Sequence, residues 1–199
     1  MANTDKPFGL KPFCHGNGNP WNGMFRIYYH SASDNAAIYR GDLVQADGGN
    51  DETTGKYPAV KAHATGQEDN VGVAIGFGNT PQLAANTANL NTGQYCPAST
   101  AMYIAVVDDP DVWFEIQEDS TGGALTAGAV YGMADVATGS GNSTTGQSAM
   151  ELDSSDIADS AGTLQVMRLV DREDNALGTN AKWLVRINEH LYRNENVVA

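Results

Sequence analysis

No stretch of the 199-residue chain approaches the roughly 18–20 consecutive apolar residues of a membrane-spanning helix. The opening, from Met1 to Pro7, lacks the basic-then-apolar order of a secretory signal, so a cytoplasmic compartment at synthesis is expected. Two cysteines, Cys14 and Cys96, are too few for a disulfide framework or a thiolate zinc site. Positive charge is scarce: 11 Lys and Arg face 24 Asp and Glu, for a net charge of −13. A general phosphate-backbone binder needs a basic patch, so neither nucleic acid nor a membrane is expected as a partner. Amphipathic helical periodicity is missing as well. Gly and Pro together stay below the roughly 25–30% of a disordered low-complexity chain. With 41% hydrophobic residues, the chain can build a core.

The charge that is present is unevenly placed. Residues 1–62 carry six cations and six acids, and residues 161–199 carry five of each. Residues 63–160 carry thirteen acids and no Lys or Arg. Two readings stay open: a solubilising acidic surface, or a polarity in which acidic loops face solvent while the basic-containing ends dock on a partner.

Residues 1–30 read as an extended arm, with residues 31–199 as a single β domain. Pro7, Pro12, Pro20 and several glycines interrupt any helical period. The apolar Phe8, Phe13 and Trp21 make the arm an awkward free surface. It is expected to lie on its own domain, a sister subunit or another protein. From Phe25 the texture is β. Short strands are expected at Phe25–Tyr29, from Leu43, at Val71–Phe77, Ala101–Val107, Val112–Gln117, Leu164–Val170 and Trp183–Asn188. In Val71–Phe77 the interleaved glycines suit a strand that another backbone approaches closely. Strands of this length between turn-rich loops indicate an all-β fold: a jelly-roll-like sandwich or a barrel core.

No catalytic constellation assembles. His15, His30, His63 and His190 have no metal-ligand spacing, and Cys14-His15 are neighbours that point to opposite sides of an extended chain. Asp108, Asp109 and Asp111 surround Pro110 and read as a turn. Gly76-Phe77-Gly78 lacks the third glycine of a phosphate cradle. Neither an enzyme, a cofactor nor a metal is expected.

In order along the chain, Lys6-Pro7-Phe8-Gly9-Leu10-Lys11-Pro12, Asn19-Pro20-Trp21-Asn22-Gly23, Tyr28-Tyr29 and the run from Tyr39 to Val44 resemble the capsid decoration (cement, head-stabilisation) proteins of tailed bacteriophages. So do Val71–Phe77, Asp109–Asp119, Thr145–Asp153 and Trp183–Asn188. Cys14-His15 departs from the pattern, which carries a basic residue beside the His. The resemblance implies a β-rich virion structural protein on the outer capsid surface, bridging neighbouring major capsid protein subunits against internal DNA pressure. It also implies a homo-oligomer, with a trimer ahead of a dimer. The candidate capsid contacts are Lys6, Phe8, Lys11, Phe13, Trp21 and Arg26. The alternative is a carbohydrate- or receptor-binding β module on the capsid or tail, with Trp21 or Trp113 stacking on sugars.

Overall fold

The computed structural model describes residues 3–66, 68–86, 93–158 and 161–193. Among these residues the strands are β1 (Lys11–His15), β2 (Arg26–His30), β3 (Leu43–Asn50), β4 (Pro58–Ala62), β5 (Asn70–Gly78), β6 (Met102–Val107) and β7 (Val112–Gln117). They continue as β8 (Met133–Ala134), β9 (Val136–Ala137), β10 (Glu151–Leu152), β11 (Leu164–Leu169) and β12 (Lys182–Ile187). A single turn and a half of helix, α1 (Pro81–Ala85), follows β5. Thr80 caps it, accepting from the Leu83 N–H at 3.3 Å, and Pro81 opens it, where a missing N–H costs nothing. The fold is all-β.

Two assemblies result. Strands β2-β4-β3-β5-β6 close a barrel, sealed by a parallel contact between Tyr29 and Ala59. The aromatic and β-branched residues of these strands fill it: Tyr28, Val44, Val60, Val71, Phe77 and Ile104 are buried together. The glycines of β5 permit close approach, since a Cβ on Gly72 would meet the Val107 carbonyl and one on Gly78 would meet the backbone of α1. Beside the barrel, strands β1-β7-β12-β11-β8 form an antiparallel sheet. Its inner face buries Phe114, Ile116, Trp183, Val185 and Ile187 at the alternate positions that the sequence pattern predicts.

The outer face of that sheet differs from expectation. Glu115 and Gln117 alternate with the core residues, yet both are buried. Their cover is the stretch read as an arm. Residues 3–30 are built into the chain's own fold, and the boundary after residue 30 falls at the end of a barrel strand. β1 is an edge strand against β7, with Lys11 opposite Glu115. Pro12, with no N–H to donate, is suited to an edge. Leu10 is in the sheet's core, and Tyr28 and Tyr29 are in the barrel wall. Ahead of β1, residues 3–8 cross the sheet as a strap fixed by side chains. The Gln117 Oε1 accepts from the Lys6 N–H at 2.9 Å, and its Nε2 donates to the Thr4 carbonyl at 2.8 Å. Asn3 adds two bonds, to the carbonyls of Ala176 and Thr179. The strap ends at Gly9, whose φ of +72° and contact with Gly41 and Ser148 leave no room for a Cβ.

Candidate functional site

Where the strap meets the barrel, three separate segments are hydrogen-bonded into one corner. The Leu10 N–H donates to the Gly41 carbonyl at 2.8 Å, tying the strap to the turn before β3. The Arg40 N–H donates to the Gly146 carbonyl at 2.9 Å, and the Ser148 N–H donates to the Arg40 carbonyl at 3.0 Å. Asp42 stiffens the turn from below by accepting from the Tyr39 N–H at 2.7 Å. Burial pushes the Asp42 carboxyl up to about 6, against the pull of the Ser148 and Tyr39 hydrogen bonds.

This corner opens into a groove of about 870 Å³ along the outer face of the sheet. Its apolar lining is Phe8, Leu10, Pro12 and Ile75. Its charged lining is Lys6, Lys11, Arg40, Arg172 and Lys182 against Glu115 and Asp174. Both acids are already engaged. Arg172 pairs with Glu115 at 2.9 Å and with Asp174 at 2.8 Å, and Lys182 reaches Asp174 at 3.5 Å. The hydrogen bond from Arg172, helped by Lys182, holds the Asp174 carboxyl below its usual range. Lys6, Lys11 and Arg40 have no carboxylate partner among the described residues. The outer face continues past Leu184 to Arg168 and Arg186, in register with Glu115 and Trp113 through β12. On a chain of net charge −13, five of the 11 cations therefore line a single groove.

Of the six residues singled out from sequence, Lys6, Phe8 and Lys11 come together here. Phe13 is exposed farther along β1. Trp21 packs half-buried against the sheet's core, and its Nε1 donates to the Met24 carbonyl at 3.3 Å. Arg26 lies on the barrel, 3.1 Å from the buried Asp108 carboxylate and over the Tyr192 ring. Asp108 also accepts from the Tyr28 hydroxyl at 2.6 Å, so Arg26 has a buried counter-charge within the chain while its own side chain stays exposed. Sequence reasoning missed Arg40, Arg172 and Lys182. Arg40 was visible within the Tyr39–Val44 segment. Arg172 needed the knowledge that the loop after β11 folds back toward the strap, and Lys182 that β12 pairs with β7 so that it lies opposite Gln117.

The acid-only stretch is not simply a solvent face. Asp108, Glu115 and Glu118 are buried. Glu118 accepts from the Trp183 Nε1 at 3.1 Å and the Leu125 N–H at 3.0 Å. Asp159 lies outside the described residues. The turn reading of Asp108–Asp111 holds, with the Asp111 N–H donating to the Asp109 side chain at 2.8 Å. Both cysteines are free and buried, and burial pushes the Cys96 thiol up to about 12, so it is no thiolate at neutral pH. Among the described residues no group of three or more His, Cys, Asp or Glu side chains is placed to hold a metal ion. No helix of the described residues is long and apolar enough to cross a membrane. No protein-family model, curated protein or solved structure matches this chain.

Proposed function

We propose that this chain is a structural protein of a tailed-phage virion. It binds the outer capsid surface and bridges neighbouring major capsid protein subunits against internal DNA pressure. One observation carries the reading. Five of the segments that resemble decoration proteins are far apart in sequence, yet each contributes residues to the same groove: Lys6–Pro12, Tyr39–Val44, Val71–Phe77, Asp109–Asp119 and Thr145–Asp153. That the segments carrying the resemblance converge on one exposed groove supports reading it as the working surface. A shell presents the same binding position many times, so each contact can be weak while the layer as a whole holds. Closed symmetry suits such a layer, with a homotrimer ahead of a homodimer.

Trp21 and Trp113 are both half-buried, and Trp21 has packing and hydrogen-bonding roles inside the chain, which favours the capsid reading over sugar stacking. The test is occupancy. Purified protein is titrated onto shells of the same virus made without it, and the particles are imaged. Saturation at a regular lattice position, touching at least two coat subunits, supports the reading. Binding confined to the tail or fibres overturns it in favour of a receptor- or carbohydrate-binding module. No binding to shells overturns it outright.

A further inference from the structure

We infer that the groove between the strap and the Arg40 turn takes an extended acidic peptide whose carboxylates alternate with apolar side chains. Resting on the capsid reading, the source of that peptide is a segment exposed on the major capsid protein.

The charge sets the sign of the occupant. Five cations and two acids line the groove, a net charge of +3, and both acids are held by Arg172 and Lys182. That leaves Lys6, Lys11 and Arg40 as the available partners. The charge on the rest of the molecule sets the occupant's kind. A dense polyanion such as a nucleic acid would meet the repulsion of a chain at −13. A peptide with a few carboxylates feels mainly what lies within a Debye length, about 8 Å at physiological salt. The apolar lining of Phe8, Leu10, Pro12 and Ile75 also needs apolar matter against it. An extended chain sends successive side chains to opposite sides, so a segment alternating acidic and apolar residues meets both linings at once. The volume of about 870 Å³ lies within the roughly 300–1,000 Å³ usual for ligand clefts.

Asp174 shows how a carboxylate sits there. Its two oxygens face Arg172, with Nε to Oδ1 at 2.8 Å and Nη2 to Oδ2 at 3.5 Å, and Lys182 approaches the second. The loop after β11 thus lends one end of the groove an internal copy of the ligand's functional group. Removing that copy frees Lys182 and leaves Arg172 held by Glu115 alone.

The probe is a labelled octapeptide alternating Glu and Val, followed by fluorescence anisotropy. The controls are the same peptide with Gln for Glu and an oligothymidylate of equal length. Lys6, Lys11 and Arg40 are exposed, so the triple variant Lys6→Glu, Lys11→Glu, Arg40→Glu keeps its fold, checked by circular dichroism. The Glu/Val peptide is expected to bind the wild type about tenfold more tightly than the Gln/Val peptide, because three exposed charge pairs are at stake. The triple variant is expected to lose that preference, and Asp174→Asn is expected to tighten binding a few-fold. Equal binding of the Gln/Val peptide, tighter binding of the oligonucleotide, or no binding of any probe overturns the inference.

The same proteins are then titrated onto undecorated shells. Shells decorated equally by wild type and triple variant overturn the groove inference while the capsid reading stands. Peptide binding without shell binding overturns the capsid reading while the groove's ligand class stands. If the triple variant instead loses self-association and still decorates shells, the occupant is a sister copy and the inference falls.

Discussion

Replacing Gln117 with Leu tests whether a single buried amide holds the strap in place. Gln117 is fully buried, and its side chain makes three hydrogen bonds to backbone: from the Lys6 N–H at 2.9 Å, and to the carbonyls of Thr4 at 2.8 Å and Asn180 at 3.0 Å. Leu fills similar space with none of them. Each such bond is worth about 0.5–1.5 kcal/mol net, so about 2–4 kcal/mol is lost in total. The loss falls unevenly. Asn3 still ties the start of the strap to Ala176 and Thr179, and Leu10 still bonds Gly41 and sits in the core. Residues 4–8 therefore loosen while β1 stays paired. In hydrogen exchange, protection of the Lys6 amide should fall by about 30- to 1,000-fold, at 1.4 kcal/mol per tenfold, with amides of β12 unaffected, which is how local opening differs from global unfolding. Gln117→Glu keeps an acceptor for Lys6 but turns a carboxylate toward the Thr4 and Asn180 carbonyls, so it should loosen the strap more at pH 7.5 than at pH 5. Unchanged exchange at Lys6 in the Leu variant would show that the strap is held by something other than this amide. Loss of protection throughout the sheet would show that strap and sheet open as one unit.

Asp42→Asn should stabilise the protein near neutral pH. The native carboxyl is raised from 3.8 to about 6, so its favourable contribution is complete below pH 3.8 and is lost as pH rises through 6. At 1.36 kcal/mol per unit the gap between variant and wild type reaches at most about 3 kcal/mol at pH 7 and closes by pH 4; a gap independent of pH in urea titrations refutes the assignment. His190 acts in the opposite direction, since burial pushes it down to about 4 and its contribution is lost as pH falls from 6.5. The Asn variant should therefore show a steeper acid loss than the wild type. Trp183→Ala removes the largest fully buried side chain and leaves Glu118 without its indole partner, at a cost of about 3–5 kcal/mol in equilibrium unfolding. A cost under about 1 kcal/mol would mean the sheet's core is not packed as described. Arg26→Ala should lower stability by leaving Asp108 with only the Tyr28 hydroxyl, yet leave shell occupancy unchanged. A large loss of occupancy would put the docking surface on the barrel.

Strands that obey local alternation were legible. Val112, Phe114 and Ile116, and again Trp183, Val185 and Ile187, announce which face is buried without reference to any partner. The strand expected from Leu43 carries no local signal for its far end, and β3 runs on to Asn50 because β4, which has no strand signal of its own, pairs with it. The strap and β1 were not legible as parts of the domain. Their hydrogen bonds come from Gln117 and β7, more than a hundred residues away, and prolines that argue against a helix are silent about an edge strand. Part of the groove could be named from Lys6, Phe8 and Lys11 because cations beside a partly exposed aromatic are a local signal. Arg26 carries the same local signal but lies on the barrel, away from the groove, beside a counter-charge, Asp108, that sits eighty-two positions downstream and that local sequence does not announce.

The barrel and the sheet differ in how their strands are spaced along the chain, and synthesis proceeds from one end. The barrel strands occupy the continuous interval from Arg26 to Val107, so its walls can close as soon as that interval is free. The sheet is drawn from both ends: β1 waits for β7, and β7 waits for β12, the last of the described strands. At about 5–20 residues per second, roughly four to fourteen seconds separate the appearance of β7 from that of its central neighbour. During that interval Phe114 and Ile116 have no Trp183, Val185 or Ile187 to cover them. The early arrival of β1 and the strap matters in that light. They can cap one edge of β7 while its other edge is still open, with Pro12 placed where a stray strand from another nascent chain would otherwise add on.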